Sequence, residues 1–398
     1  SYNGTDNALH WSQREQRESP YKDTADKMPE EKTELPIGQY LPTIRESGAR
    51  SHTFFDGASL RRSKPFYANA IDTNLAPSGH EFTDLSFRTY NASPMFSVAL
   101  EGASVIGTEG LVLHNGKLIS DTVHYVPVWE EGVLAERVDL PRSVLFRRNV
   151  PLPGRRLEGE HFVGFVGAWR NHAHWLTDCV PRIYLYNRLK EISPTVRLLL
   201  PTFEEGGPQW RTLQLLGVDD SQITWLDVGQ VVSAGTLWCA PGIDLWRPPM
   251  LCRIAAEALS GGLPVRDGYE RIYIRRPGGR RVANFAEIET PLRDRGFRVV
   301  SFEGMTLDEQ ISIMRGARHV IGEHGAGVAN VMFCRPGARL LEMFNPFGAQ
   351  PAHWSLASVC DVGYGYLIGD HAGGQLHGNS DYIVPPDRLT ESVGALLA

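Results

Sequence analysis

The sequence predicts a two-domain α/β protein, and three observations carry that prediction. At 398 residues the chain exceeds what one hydrophobic core usually serves, so each half is large enough to bury its own. From about residue 162 onward short apolar runs alternate with helical patterns, the order expected of parallel sheets covered by helices. The Pro- and Gly-rich stretch 241–249 interrupts this alternation and reads as the linker. Composition excludes other classes, since 42% hydrophobic and 22% charged residues are the proportions of an ordinary globular enzyme rather than of a fibrous or disordered chain. A net charge of -6 offers phosphate backbones no general attraction, so nucleic acid is not expected as a partner.

Residues 1–35 crowd charges of both signs among few apolar side chains and read as a poorly ordered polar arm. The first domain is expected over 36–245. Its opening, Phe96 to Val128, alternates short apolar runs with Gly-containing turns and reads as a β-meander with hairpins at Gly110 and at Asn115-Gly116. FVGFVG (Phe162 to Gly167) is the next buried strand. A helix through Leu189, a strand Arg197–Leu200, a helix Gln209–Leu216 and strands Gln222–Leu226 and Thr236–Ala240 follow. In the second domain, 250–365, strand Arg271–Arg276 leads to a helix capped by Asn284 and closed by Gly296, and Phe297–Phe302 is the next strand. Thr306 and Glu309 form a capping box for the following helix, and His319–Gly322 is the third strand. After the loop EHGAG and a short helix VANVMF comes the fourth strand, Arg339–Phe344. Such an order makes a doubly wound sheet whose ligand lies beyond the carboxyl ends of its strands. The last segment, 366–398, is expected to pack back on the first domain.

In the loop Glu323-His324-Gly325-Ala326-Gly327 glycine lets the backbone approach a ligand, and helix-start N–H groups favour a diphosphate. Arg275 or Arg276, ending a neighbouring strand, adds a charge-assisted contact. The same glycines also suit a plain tight turn, and a G-x-G pair alone does not separate the two. Glu342 ends the following strand near the distance at which an acidic residue grips a ribose hydroxyl, which admits a dinucleotide reading. Asn330 in place of a third glycine, the very short helix and the charged loop favour a nucleoside diphosphate instead. Glu342 is then left to bind hydroxyls or to pair with an arginine.

A second constellation, Asn171, His174, Trp175, Asp178 and Arg182, shares one expected helix. His174 and Asp178 stand at i and i+4, so the carboxylate can fix one imidazole tautomer and make a general base for an acceptor hydroxyl. A structural hydrogen bond, with Trp175 filling core, uses the same spacing. His172 points elsewhere on that helix. No H-E-x-x-H, paired H-x-H or D-x-D pattern occurs, so neither metal nor cofactor is expected, and serine-hydrolase and P-loop patterns are missing as well. Five cysteines without a C-x-x-C pair read as buried thiols of a reducing compartment.

Taken together, N-x-x-H-W-x-x-D-x-x-P-R (Asn171 to Arg182), Y-I-x-R (Tyr273 to Arg276), H-G-A-G-x-x-N-x-x-F-x-x-P-G (His324 to Gly337) and L-x-E (Leu340 to Glu342) resemble glycosyltransferase family 61. The resemblance spans roughly Phe96 to Tyr366. It implies a GT-B fold, two Rossmann-like domains facing a cleft. It also implies inverting, metal-independent transfer of a sugar such as xylose, arabinose or N-acetylglucosamine from a nucleotide donor, expected to be a UDP-sugar, to a glycan or protein hydroxyl. By the same resemblance His174 and Asp178 are catalytic, and Asn171, Trp175 and Arg182 lie on the acceptor side. Arg275, Arg276, Glu323, His324, Gly325, Ala326, Gly327, Asn330 and Glu342 serve the donor. Expected partners are the nucleotide-sugar and a glycan or polysaccharide acceptor, and peripheral membrane association or a homo-oligomer is compatible with both. Bacterial relatives are linked to capsule and exopolysaccharide synthesis, which implies the cytoplasm or the cytoplasmic face of the inner membrane. A eukaryotic host would imply a Golgi or endoplasmic reticulum lumen and give meaning to the glycan-acceptor triplets at Asn3 and Asn91. An epimerase or hydrolase of the same fold, or a non-catalytic glycan-binding subunit, stays open.

Overall fold

The computed structural model describes residues 43–48, 50–72, 74–76, 79–84, 88–106, 110–115, 117–122, 154–227, 230–374 and 378–398. The arm expected over 1–35, Asn3, Gly116 and the part of the meander beyond Thr122 lie outside them. The fold is mixed α/β with parallel sheets. Strand β1 (Arg50–Phe55) opens the first sheet, while β2 (Ala58–Arg61) and β3 (Thr89–Ala92, which exposes Asn91) pair in a separate antiparallel ribbon. Then come β4 (Met95–Glu101), β5 (Ser104–Ile106), β6 (Leu111–His114), β7 (Lys117–Leu118), β8 (Arg155–Val163), β9 (Arg197–Pro201), β10 (Ile223–Leu226) and β11 (Val231–Cys239). With β1 these strands form one nine-stranded sheet in which β10, β9, β8 and β11 run parallel.

Two expectations for this region change. The runs FSVAL and SVIG do not pair with each other. Both β4 and β5 pair antiparallel with β11, at Thr236–Cys239 and Val231–Ser233, and Gly102 with φ 67° makes the break between them. The left-handed conformation there is one that glycine adopts without steric cost. The strand expected at Phe162–Gly167 starts earlier and ends at Val163, because its first half alternates charged residues on an exposed face and so lacks an apolar run. Gly164 follows, where a Cβ would lie 2.6 Å from Leu198 Cδ1, so any larger residue would push the Leu198 side chain aside where the chain turns off the sheet beside β9.

The second sheet comprises β12 (Arg271–Ile274), β13 (Arg298–Val300), β14 (His319–Glu323), β15 (Arg339–Phe344) and β16 (Gly363–Ile368), all parallel, in the order β13-β12-β14-β15-β16. Chain order and sheet order reverse between β12 and β14, which is the switch point where open α/β sheets leave a crevice beyond their carboxyl ends. Helices α1 (His172–His174), α2 (Val180–Leu189), α3 (Pro208–Leu215), α4 (Leu251–Ser260), α5 (Phe285–Asp294), α6 (Leu307–Gly316), α7 (Ala352–Val359) and α8 (Pro386–Leu397) complete the framework. Among the described residues none is long and apolar enough to cross a membrane. The Thr306/Glu309 capping box is formed in both directions, and Gly296 takes φ 81° after α5. Asn284 precedes α5 without capping it; its amide instead bonds the backbone of Val384 in both directions.

The expected two cores and the placing of 366–398 are also revised. One apolar cluster runs continuously from Val98, Phe162 and Leu198 of the first sheet to Ile272, Val320 and Leu340 of the second. A smaller cluster covers the other face of the second sheet, and there α8 packs on β15, β16 and α5, not on the first half. Its buried Leu389, Val393 and Leu396 repeat at helical spacing, so the apolar face is satisfied by the nearest sheet. Strand β16 itself crosses the boundary expected at 365. The segment before β3 also belongs to the second half, since Phe66 N–H bonds Tyr364 O and Tyr366 N–H bonds Tyr67 O.

Candidate active site

Just after β8 the chain enters a helix through Asn171, whose side-chain oxygen accepts from the N–H groups of Ala173 and His174. Trp175–Cys179 then forms a π-helical turn before α2, a local widening common at functional sites. His174 Nδ1 lies 2.8 Å from Asp178 Oδ2; the carboxylate is fully buried and the imidazole is 6% exposed. The carboxylate can hold the ring in the tautomer that donates from Nδ1. Arg182 does not face the cleft. Its guanidinium is buried, donates to the carbonyls of Ala240 and Pro241, and is pushed down by desolvation while the charge of Asp178 pushes it back up. Trp175 is also core, 1% exposed, donating to Thr212 Oγ1 and edge-on to Phe203. The acceptor-side expectation for Arg182 and Trp175 is therefore corrected, because both side chains are buried and the bonds they make go to groups inside the protein. His172 bonds Asn330 Oδ1, and Asn330 donates to Gln310, so Asn330 is a clamp between elements and not a donor ligand.

On the second sheet Glu342 is the hub. Its Oε1 accepts from His324 Nδ1 and His353 Nδ1 at 2.6 Å each, and its Oε2 accepts from Tyr364 at 2.7 Å. Burial alone raises this carboxyl, but His353 and His324 beside it hold it down at about 2. With both oxygens engaged inside the protein and no exposure, Glu342 does not reach a ribose, which corrects that expectation. Glu323 is likewise buried, accepting from Tyr273 Oη–H and the Val282 N–H; burial pushes it up, and its role is to fix the loop after β12. Arg275 lays its guanidinium over Phe285, 4.1 Å from the ring centroid, away from the cleft. Arg276 donates to the His324 carbonyl. A Cβ on Gly325 would sit 1.5 Å from Arg276 Nη1, so a side chain here would displace the Arg276 guanidinium; the φ of 165° is ordinary extended backbone. The N–H groups of Gly325, Ala326 and Gly327 precede the first hydrogen bond of the 3-10 helix Ala326–Phe333, Val328 N–H to Gly325 O.

These two walls meet in one cleft of about 570 Å³. The first supplies Asn171, Ala173, His174, Asp121 and the former linker, Gly242 to Trp246; the second supplies Arg280, His324, Gly325, Ala326, Gln350 and His353. Of the residues expected at the site, the cleft thus gathers Asn171, His174, His324, Gly325 and Ala326, with Asp178 directly behind. Residues 172–341 match the family model described as Glycosyltransferase 61. That segment is similar to glycosyltransferase family 61. No curated protein matches the chain. The family match supports glycosyltransferase activity, and the family-61 segment carries His174, Arg280 and the His324–Gly327 turn, whereas Glu342, Gln350 and His353 follow it.

Sequence reasoning missed Arg280, Gln350 and His353. The run of arginines around Gly278-Gly279 was a signal for the first, since Arg280 at φ 54° turns its side chain into the cleft; burial pushes its guanidinium down, and neighbouring Arg276 adds to that. His324, Glu342 and His353 are also the group, among the described residues, whose donor atoms lie close enough for a shared cation. Ligands bound at about 2.1 Å to a tetrahedral ion stand roughly 3.4 Å apart. The 2.6 Å separations here are those of charge-assisted hydrogen bonds.

Proposed function

We propose that this chain is an inverting glycosyltransferase of GT-B type that moves a sugar from a nucleoside diphosphate, UDP in the first instance, to a hydroxyl of a glycan, without a metal ion. The observation that carries the reading is the pairing of two unlike walls across one cleft. A carboxylate-backed imidazole, His174 with Asp178, lines the same cleft as the cationic Arg280 and a helix start whose first amides have no partner among the described residues.

The acceptor oxygen attacks the anomeric carbon while its proton passes to His174 Nε2, and Asp178 stabilises the imidazolium that results. The bond from the anomeric carbon to the phosphate oxygen breaks, and its electron pair leaves with the diphosphate. The amides of Gly325, Ala326 and Gly327 and the guanidinium of Arg280 stabilise that leaving charge, acting as preorganised donors in place of a metal. One displacement inverts the configuration, and no covalent enzyme intermediate is required. Assembly of a capsule-like polysaccharide at the cytoplasmic face of a membrane is the setting this proposal fits.

The test is a thermal-shift titration with uridine diphosphate and other nucleoside diphosphates in excess EDTA. Uridine diphosphate is expected to raise the melting temperature of the wild type, and Arg280→Ala is expected to weaken that binding at least tenfold, the worth of a charged hydrogen bond. Absence of any shift, or a shift that needs a divalent cation, speaks against the proposal.

A further inference from the structure

His324 and His353 hang from the same Glu342 oxygen, but they are not equivalent. His324 has both ring nitrogens in use, Nδ1 on Glu342 and Nε2 2.8 Å from the Gln350 amide nitrogen, and its ring stacks on Phe344 with centroids 4.7 Å apart. An amide N–H pointing at Nε2 makes that atom an acceptor already satisfied. His353 also lines the cleft, yet its Nε2 has no hydrogen-bond partner among the described residues. Because a carboxylate only accepts, Nδ1 of His353 donates to Glu342, and in the Nδ1–H tautomer of the ring the lone pair is on Nε2. A lone pair attracts a donor group and repels a phosphate oxygen. His353 shares the cleft wall with Gly325, Ala326 and Gln350, next to the turn assigned above to the diphosphate.

We propose that His353, anchored by Glu342, is the substrate-contacting imidazole of this wall, and that its Nε2 accepts a hydrogen bond from a hydroxyl of the donor's sugar while Gln350 keeps His324 out of contact. This rests on the donor-site reading given under Proposed function. His353 follows the matched segment 172–341 and belongs to none of the motifs in the sequence, and in this proposal it contacts the sugar and not the nucleotide.

Calorimetric titration of uridine diphosphate and of UDP-xylose, UDP-arabinose and UDP-N-acetylglucosamine into wild type, His353→Leu and His353→Gln tests it. Leucine removes the acceptor, and glutamine keeps one near the Nε2 position. For His353→Leu the affinity for uridine diphosphate is expected to stay within about twofold, while that for the preferred sugar nucleotide falls about tenfold, with glutamine restoring part of the loss. Tyr364→Phe removes a donor from Glu342 outside the cleft and is expected to leave the ratio of the two affinities unchanged. Equal weakening of both ligands in the His353 variants, or no weakening of either, overturns the proposal. So does a wild type that binds uridine diphosphate but gains nothing from any attached sugar. If the wild type binds none of these ligands, the donor-site reading fails and this one fails with it.

Discussion

His174 sits on a one-turn helix whose start is fixed by Asn171 and whose continuation is widened by the π turn, so the imidazole is aimed by backbone geometry and held by Asp178. Replacing His174 by Gln removes the proposed base, and replacing Asp178 by Asn removes its partner. Each is expected to lower kcat by about 10²–10⁴ while leaving nucleotide affinity nearly unchanged. Steady-state kinetics beside calorimetry check this; a large loss of nucleotide affinity with kcat preserved contradicts it. At this scale the sequence told residue types better than directions. The i, i+4 spacing announced the His174–Asp178 contact, because a helix face is periodic. Which arginine of RRPGGRR enters the cleft was not legible, since that depends on a positive φ at Arg280 and on Phe285 capturing Arg275. His353 carried no local signal, as its partner Glu342 lies on another element.

The elements were mostly legible where periodicity and caps agreed, as in α6 and β12 to β15, and illegible where tertiary pairing decided. Strand β8 begins among charged residues because β11 supplies its partners, and β4 and β5 share one neighbour that no local pattern names. The segment before β3 shows the same dependence. Arg62 and Glu81, 1% and 2% exposed, form an ion pair at 2.9 Å, and Arg62 also donates to Ser355 Oγ and to Trp246 O. Phe82 stacks on Trp354 at 5.3 Å, so this segment is fastened to α7, the helix that carries His353. Burial pushes the Arg62 guanidinium down and Glu81 opposes it, which makes the pair costly to break from one side. Arg62→Met is expected to destabilise the fold by about 3–5 kcal/mol, leaving Glu81 buried without its closest partner. Urea unfolding measures this, and a change below about 1 kcal/mol would show that the pair is dispensable.

For the whole molecule, the carboxyl ends of two sheets joined by a continuous core leave the cleft, and buried titratable groups tie its integrity to pH. Desolvation pushes His161 from 6.5 to about 4, and it lowers His324 too. Below pH 6.5 the unfolded chain takes up protons that these folded imidazoles refuse, so stability falls as pH drops below 6.5, for His161 down to about 4. Glu342, held at about 2 against an ordinary 4.5, adds stability above 4.5 that is lost between 4.5 and 2. Unfolding free energy measured stepwise in pH is therefore expected to fall from pH 6.5 downward, with His161→Phe flattening the limb above 4; a profile level from 7 to 4 contradicts this. The central claim concerns the amides that open the 3-10 helix. Ala326 is its first residue, where proline fits a helix start, and Gly325 before it is already extended, as proline requires. Ala326→Pro therefore deletes one N–H donor while keeping charge and fold. Calorimetric titration of uridine diphosphate into this variant is predicted to give at least tenfold weaker binding at an unchanged melting temperature, whereas wild-type affinity in the variant would contradict the account.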